Sequence, residues 1–132
     1  MRVLVVDESN VLSWLVGRLG GAGVEVCTAD SFDSALDRVR RDPPAAAIVS
    51  LTGAHLPWRD FQHLCATRDP WVPVLYASCV GMGPYELGLS PLEGWAAFLP
   101  KPASRLQLEA AIRGLLAAAG ARREAPVVTV GE

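Results

Sequence analysis

Four short apolar runs in this chain end on residues capable of chemistry. Val3–Val6 ends on Asp7 and Glu8, and Ala46–Val49 ends on Ser50. Val72–Ala77 ends on Ser78 and Cys79, and Ala96–Leu99 leads to Lys101 and Pro102. Adjacent carboxylates are hard oxygen ligands suited to a divalent cation such as Mg²⁺, while lysine and hydroxyl groups suit the oxygens of a phosphoryl-like anion. If the four runs are parallel strands, these groups line one edge of the sheet, where ligands gather in open α/β folds. The blander alternatives are an acid pair that caps the next helix and pairs with Lys101, and a strand-end hydroxyl at Ser78 that is satisfied locally. His55 would add one nitrogen to two acids, a thin set for a transition metal. His63 and Cys79 read as structural. Gly20-Gly21-Ala22-Gly23 follows a helix and precedes a strand, the reverse of a dinucleotide-binding turn.

The elements that would position these groups follow from apolar periodicity. Val3–Val6 and Ala46–Val49 are continuous apolar runs, as strands buried on both faces should be. Val24–Thr28 alternates apolar with polar residues, which predicts an edge strand with one wet face. Val11, Leu12, Leu15, Val16 and Leu19 recur at helical spacing, with Ser9 or Asn10 as the cap and Gly20-Gly21 as the stop. Phe32, Ala35, Leu36 and Val39 give a second helix closed by Asp42-Pro43-Pro44. A third, short helix lies around Phe61, Leu64 and Cys65. The last opens with Ser104 and Gln107 as a capping box and turns Leu108, Ile112 and Leu115 inward. Glycines and prolines from Gly81 to Gly94 predict a broken or displaced helix. Strands alternating with helices mean an α/β fold with a parallel sheet covered on both faces. Residues 1–120 form the domain and 121–132 a tail or linker.

Composition sets limits on function. The chain has 132 residues, with 12 Lys and Arg against 14 Asp and Glu, a net charge of −2. That balance argues against direct nucleic-acid binding driven by clustered cations. Hydrophobic residues make up 51%, which is globular rather than disordered composition. No run is long and apolar enough to span a membrane, and Met1-Arg2-Val3 enters a strand directly, without a signal-peptide pattern. Three cysteines without paired or metal-site spacing read as reduced thiols, so the expected compartment is the cytoplasm.

The ordered set of strand-end residues resembles the receiver domain of bacterial two-component response regulators. The resemblance rests on Val5-Val6-Asp7-Glu8, Ser78 and Phe98-Leu99-Pro100-Lys101-Pro102, and runs from Arg2 to about Ala119. It implies a flavodoxin-like, doubly wound (βα)5 fold with five parallel strands in the order 2-1-3-4-5. It implies that Asp7 and Glu8 hold Mg²⁺, and that Ser78 hydrogen-bonds a phosphoryl group contacted by Lys101. It further implies that Pro102 follows a cis peptide bond and that Phe98 is the aromatic switch residue. The position matching the phosphoacceptor aspartate is Ser50.

Three departures lie along that same mechanism. A serine hydroxyl is neutral at pH 7 and needs a base, and its phosphate ester is far more inert than an acylphosphate. Asp42 sits at the wrong end of the third strand, and Asp60 lies across the loop, so neither replaces the missing acid. Leu56-Pro57 comes later than the corresponding dipeptide of the family, and Gly81–Gly94 replaces its signalling helix. The resemblance therefore implies a pseudo-receiver: a non-enzymatic signalling module without a cofactor, with Mg²⁺ weak or lost. It would bind a protein partner or itself, as a homodimer through the 81–119 face. The alternative is a phosphorylation-competent regulator with a non-standard acceptor or metal site. A small ligand in the strand-end cleft is a third possibility. Trp58, Trp71 and Trp95, beside prolines or glycines, are either partner anchors or covers for the core's rim.

Overall fold

A computed structural model describes residues 1–6, 11–51, 58–68, 71–78, 96–100 and 104–124. The elements in chain order are β1 (Arg2–Val6), α1 (Val11–Gly20), β2 (Glu25–Ala29), α2 (Phe32–Arg41), β3 (Ala46–Leu51), α3 (Trp58–Thr67), β4 (Val74–Ser78), β5 (Ala96–Pro100) and α4 (Arg105–Glu124). The five strands are all parallel, in the order β2-β1-β3-β4-β5. The expected α/β fold and strand order are therefore present.

Side-chain alternation splits the core into two layers. Leu4, Val6, Ala47, Val49, Val74 and Tyr76 pack on one face against α2 and α3 through Ala35, Val39, Phe61 and Cys65. Val3, Val5, Ala46, Ile48 and Leu75 pack on the other against α1 and α4 through Leu15, Val16, Ile112 and Leu115. Continuous apolar runs form the central strands because each of their faces meets helices. β2 lies at the edge as expected, but it has no single wet face: the exposed Glu25 and Thr28 are three residues apart and so on opposite faces, while Cys27 and Val26 are half-buried against the two core layers.

Local chemistry sets the helix ends. α1 stops at Gly20, where a Cβ would come within 2.2 Å of Val24 Cγ2, and Gly21 then takes a positive φ of 63°. α2 is capped by Ser31, whose hydroxyl accepts from the Ser34 amide at 3.1 Å. Arg38, Arg40 and Arg41 in its last turn suit the helix dipole. The capping box of α4 is formed both ways: the Gln107 amide donates to Ser104 Oγ at 3.1 Å, and the Ser104 amide donates to Gln107 Oε1 at 2.8 Å.

Three strands differ from expectation at their ends. β3 continues through Ser50 to Leu51, β4 runs Val74–Ser78 rather than 72–77, and β5 reaches Pro100. Ladder pairing carries each strand past its apolar run, and Pro100 is tolerated because β5 lies at the sheet edge. Residues 121–124 of the expected 121–132 tail continue α4, while the rest of that tail and the broken segment expected at Gly81–Gly94 lie outside the described residues.

Candidate functional site

The carboxyl edge of the sheet is built from successive cross-strand rows. Val6 pairs with Val49, so the next row on β3 begins at Ser50. Ser50 lies opposite Ala77, which lies opposite Leu99, and the outermost row is Leu51, Ser78 and Pro100. In sequence, Asp7 follows Val6, Cys79 follows Ser78 and Lys101 follows Pro100. The ladder thus brings the strand ends bearing the expected site to one edge. Asp7, Glu8, His55, Cys79, Lys101 and Pro102 themselves lie outside the described residues.

One feature of this edge departs from expectation. Ser50 sits inside the strand rather than beyond it, and it is only 8% exposed. Ser50 and Ser78 also occupy successive rows, so the two serines do not stand opposite one another on the ladder. The residue level with Ser78 is Leu51. Neither position on β3 carries a charge, and the chain has no Asp or Glu between Asp42 and Asp60.

The flanking acids lie elsewhere. Asp42 caps the C-terminus of α2 and pairs with Arg2, the first residue of β1, so it belongs to the opposite, amino-terminal edge. The Ala45 amide donates to the Arg2 carbonyl at 2.8 Å and ties the same corner. Asp60 is exposed in the first turn of α3, where its charge suits the helix dipole. Among the described residues, no cluster of three His, Cys, Asp or Glu is arranged to hold a metal ion.

Phe98, the expected switch residue, stands in register with Tyr76 on β4. Tyr76 is fully buried, and its hydroxyl donates to Oε1 of the equally buried Gln62 on α3 at 2.7 Å. The polar type of Gln62 hides its place in the sequence. Its position one residue from Phe61 and three from Cys65 is the signal that puts it on the inward face of α3. Cys65 beside it is an inert thiol: burial pushes it up to about 12, with Arg68 pulling weakly the other way. His63 is exposed, and its backbone carbonyl accepts from the Thr67 hydroxyl at 2.8 Å.

Trp71 is half-buried, Trp58 opens α3, and Trp95 lies outside the described residues. Trp14 on α1 is 56% exposed. Its place opposite the inward stripe of Leu12, Leu15, Val16 and Leu19 was the available signal.

No family model matches the sequence. Solved structures do match the fold. The signal receiver domain of a Luxo repressor protein from Vibrio parahaemolyticus superposes with a TM-score of 0.72 at 21% identity, covering 95% of this chain and 96% of that one. This is the receiver-domain fold. NtrX from Brucella abortus gives a TM-score of 0.66 at 23% identity, with 93% of this receiver-like chain matching 28% of that longer one. In sequence, a protein-glutamate methylesterase/protein-glutamine glutaminase of Anaeromyxobacter dehalogenans is 34% identical over 103 residues, 76% of this chain. The receiver-like chain spans 29% of the length of that relative. Among the described residues, no helix is long and apolar enough to cross a membrane.

Proposed function

We propose that this chain is an atypical receiver domain that transmits a signal by docking protein, without conventional phosphorylation on aspartate. The observation that carries this reading is the uncharged end of β3. In a receiver fold that strand end supplies the carboxylate that attacks phosphorus, and here it offers Ser50 and Leu51. A neutral hydroxyl, 8% exposed, is a weaker nucleophile than the carboxylate whose place it takes. The Mg²⁺ that the fold implies is also a poor match for this donor set, because a site built on several carboxylates loses one anionic ligand here. Asp7 and Glu8 alone would hold the ion weakly. The domain therefore performs no phosphoryl transfer and is not an enzyme.

Docking then has to carry the signal. β5 and α4 belong to the expected 81–119 face, which serves a protein partner or a second copy. Both the methylesterase relative and NtrX are more than three times the length of the matched region, which supports a receiver-sized unit working with further protein. Incubation with acetyl phosphate and Mg²⁺, followed by intact-mass analysis, tests this reading. The expected spectrum shows unmodified protein only. An acid-labile adduct of one phosphoryl group, at Asp60 or any other acid, would establish a competent regulator with a non-standard acceptor. A stable adduct at Ser50 would equally defeat the reading.

A further inference from the structure

The amino-terminal edge of the sheet gathers arginines from three elements. Arg38, Arg40 and Arg41 are exposed in the last turn of α2. Val39 between them is fully buried, and each residue advances the helix by roughly 100°. The three side chains therefore fan over the outward half of that turn. Arg68, just beyond α3, donates through Nη2 to the Arg40 carbonyl. Arg2, the first residue of β1, pairs with Asp42 at the end of α2. The acids at this corner are Asp42, Asp37, which Arg41 Nε meets at 3.1 Å, and Glu25, in register with Arg2. Arg38 and Arg40 have no ion-pair partner among the described residues. Their backbone position suits the helix dipole, but that dipole amounts to only about half a charge. Unpaired cations thus stand together in a chain whose net charge is −2.

We infer that the arginine fan of Arg38, Arg40 and Arg41, with Arg68 beside it, is a docking site for an extended acidic segment of a partner protein. Guanidinium forks match carboxylates in two-bond geometry, and such charge-assisted pairs are stronger than neutral ones. The forks diverge around the helix end instead of converging on one point. Successive carboxylates along a chain can meet them one by one, whereas a single phosphate cannot span them. Other occupants fit less well. A membrane surface calls for apolar side chains to insert, and the exposed large hydrophobics among the described residues, Trp14 and Leu106, lie on α1 and α4 in the opposite layer. A second copy would bring arginine against arginine, and like charges in one interface repel. This corner lies at the opposite end of the sheet from the strand-end site and outside the 81–119 face. The inference therefore goes beyond the reading of phosphoryl chemistry and does not depend on it.

The test is a titration of ¹⁵N-labelled protein with a short synthetic peptide of alternating glutamate and serine, and with its glutamine counterpart. The glutamate peptide should saturably shift the amides of residues 38–42 and of Arg68, and the glutamine peptide should leave them in place. Arg38→Gln and Arg40→Gln should each weaken binding roughly two- to fivefold, and Arg40→Lys should retain more of it than Arg40→Gln. An unchanged Tm is expected for all three, because neither side chain has an ion-pair partner to lose. Added salt should weaken binding, while Arg18→Gln, on α1 in the opposite layer, should not. Equal binding of the two peptides, shifts confined to another surface, or no saturable shift would overturn the inference. An Arg18→Gln loss as large as that of Arg40→Gln would do the same, since attraction would then be general. Inorganic phosphate producing the same shifts, or single-stranded DNA binding more tightly than the glutamate peptide, would also overturn it.

Discussion

The buried pair between α3 and β4 gives a sharp quantitative expectation. Tyr76 and Gln62 are both fully buried, and the tyrosine hydroxyl donates to the amide oxygen at 2.7 Å. Tyr76→Phe keeps the ring and its packing but removes the donor, leaving a buried acceptor with one partner fewer. That change should cost about 1–3 kcal/mol, which for a domain of this size is a fall in Tm of roughly 3–6 °C per kcal/mol. Gln62→Leu should cost a similar amount. The double variant removes both polar groups, so its loss should be smaller than the sum of the two by about 1 kcal/mol or more. Urea unfolding monitored by circular dichroism measures all four states of the cycle, provided the slope of the transition is unchanged. A Tyr76→Phe variant within about 0.5 kcal/mol of the parent, or strict additivity in the double variant, would refute the assignment. The pair ties α3 to β4, the strand that ends at Ser78.

Two further expectations concern the chain's stability and reactivity. Gly20→Ala places a methyl group 2.2 Å from Val24 Cγ2 and 2.6 Å from Val24 Cβ, and should lower stability by about 1–3 kcal/mol in thermal unfolding. Cys65 keeps its proton to about pH 12 when folded, against 9 for a free thiol. An unfolded chain loses that proton first, so this residue's contribution to stability falls as pH rises from 9 towards 12, and Cys65→Ser should flatten that part of the pH profile. A thiol reagent at pH 8 should label half-buried Cys27 before Cys65; the reverse order, read by peptide mapping, would contradict the burial of Cys65.

Much of the scaffold was legible because its signals are local. The capping box at Ser104 and Gln107 and the proline stop after Asp42 each depend on residues within a few positions of one another. The two-layer core was legible for the same reason, since Val3–Val6 and Ala46–Val49 have no polar face to turn outward. The site was less legible because ladder register is set by distant strands. Placing Ser50 just after the third strand followed from the end of the apolar run, whereas pairing with Ala77 keeps it in β3 and sets Leu51 opposite Ser78. Gln62 escaped notice because its amide suggests an outward position, and only Tyr76, fourteen residues away in sequence, supplies its buried partner. Trp14 lay on the polar side of a helix that was read mainly for its inward stripe.

The central claim is that the uncharged end of β3 cannot assemble the metal-bound phosphoryl site of a conventional receiver. Calorimetric titration with beryllofluoride and Mg²⁺ together, which mimic a phosphoryl group on aspartate, examines this most directly. The account predicts no saturable heat and no change in Tm. One-to-one binding with a matching rise in Tm would contradict it.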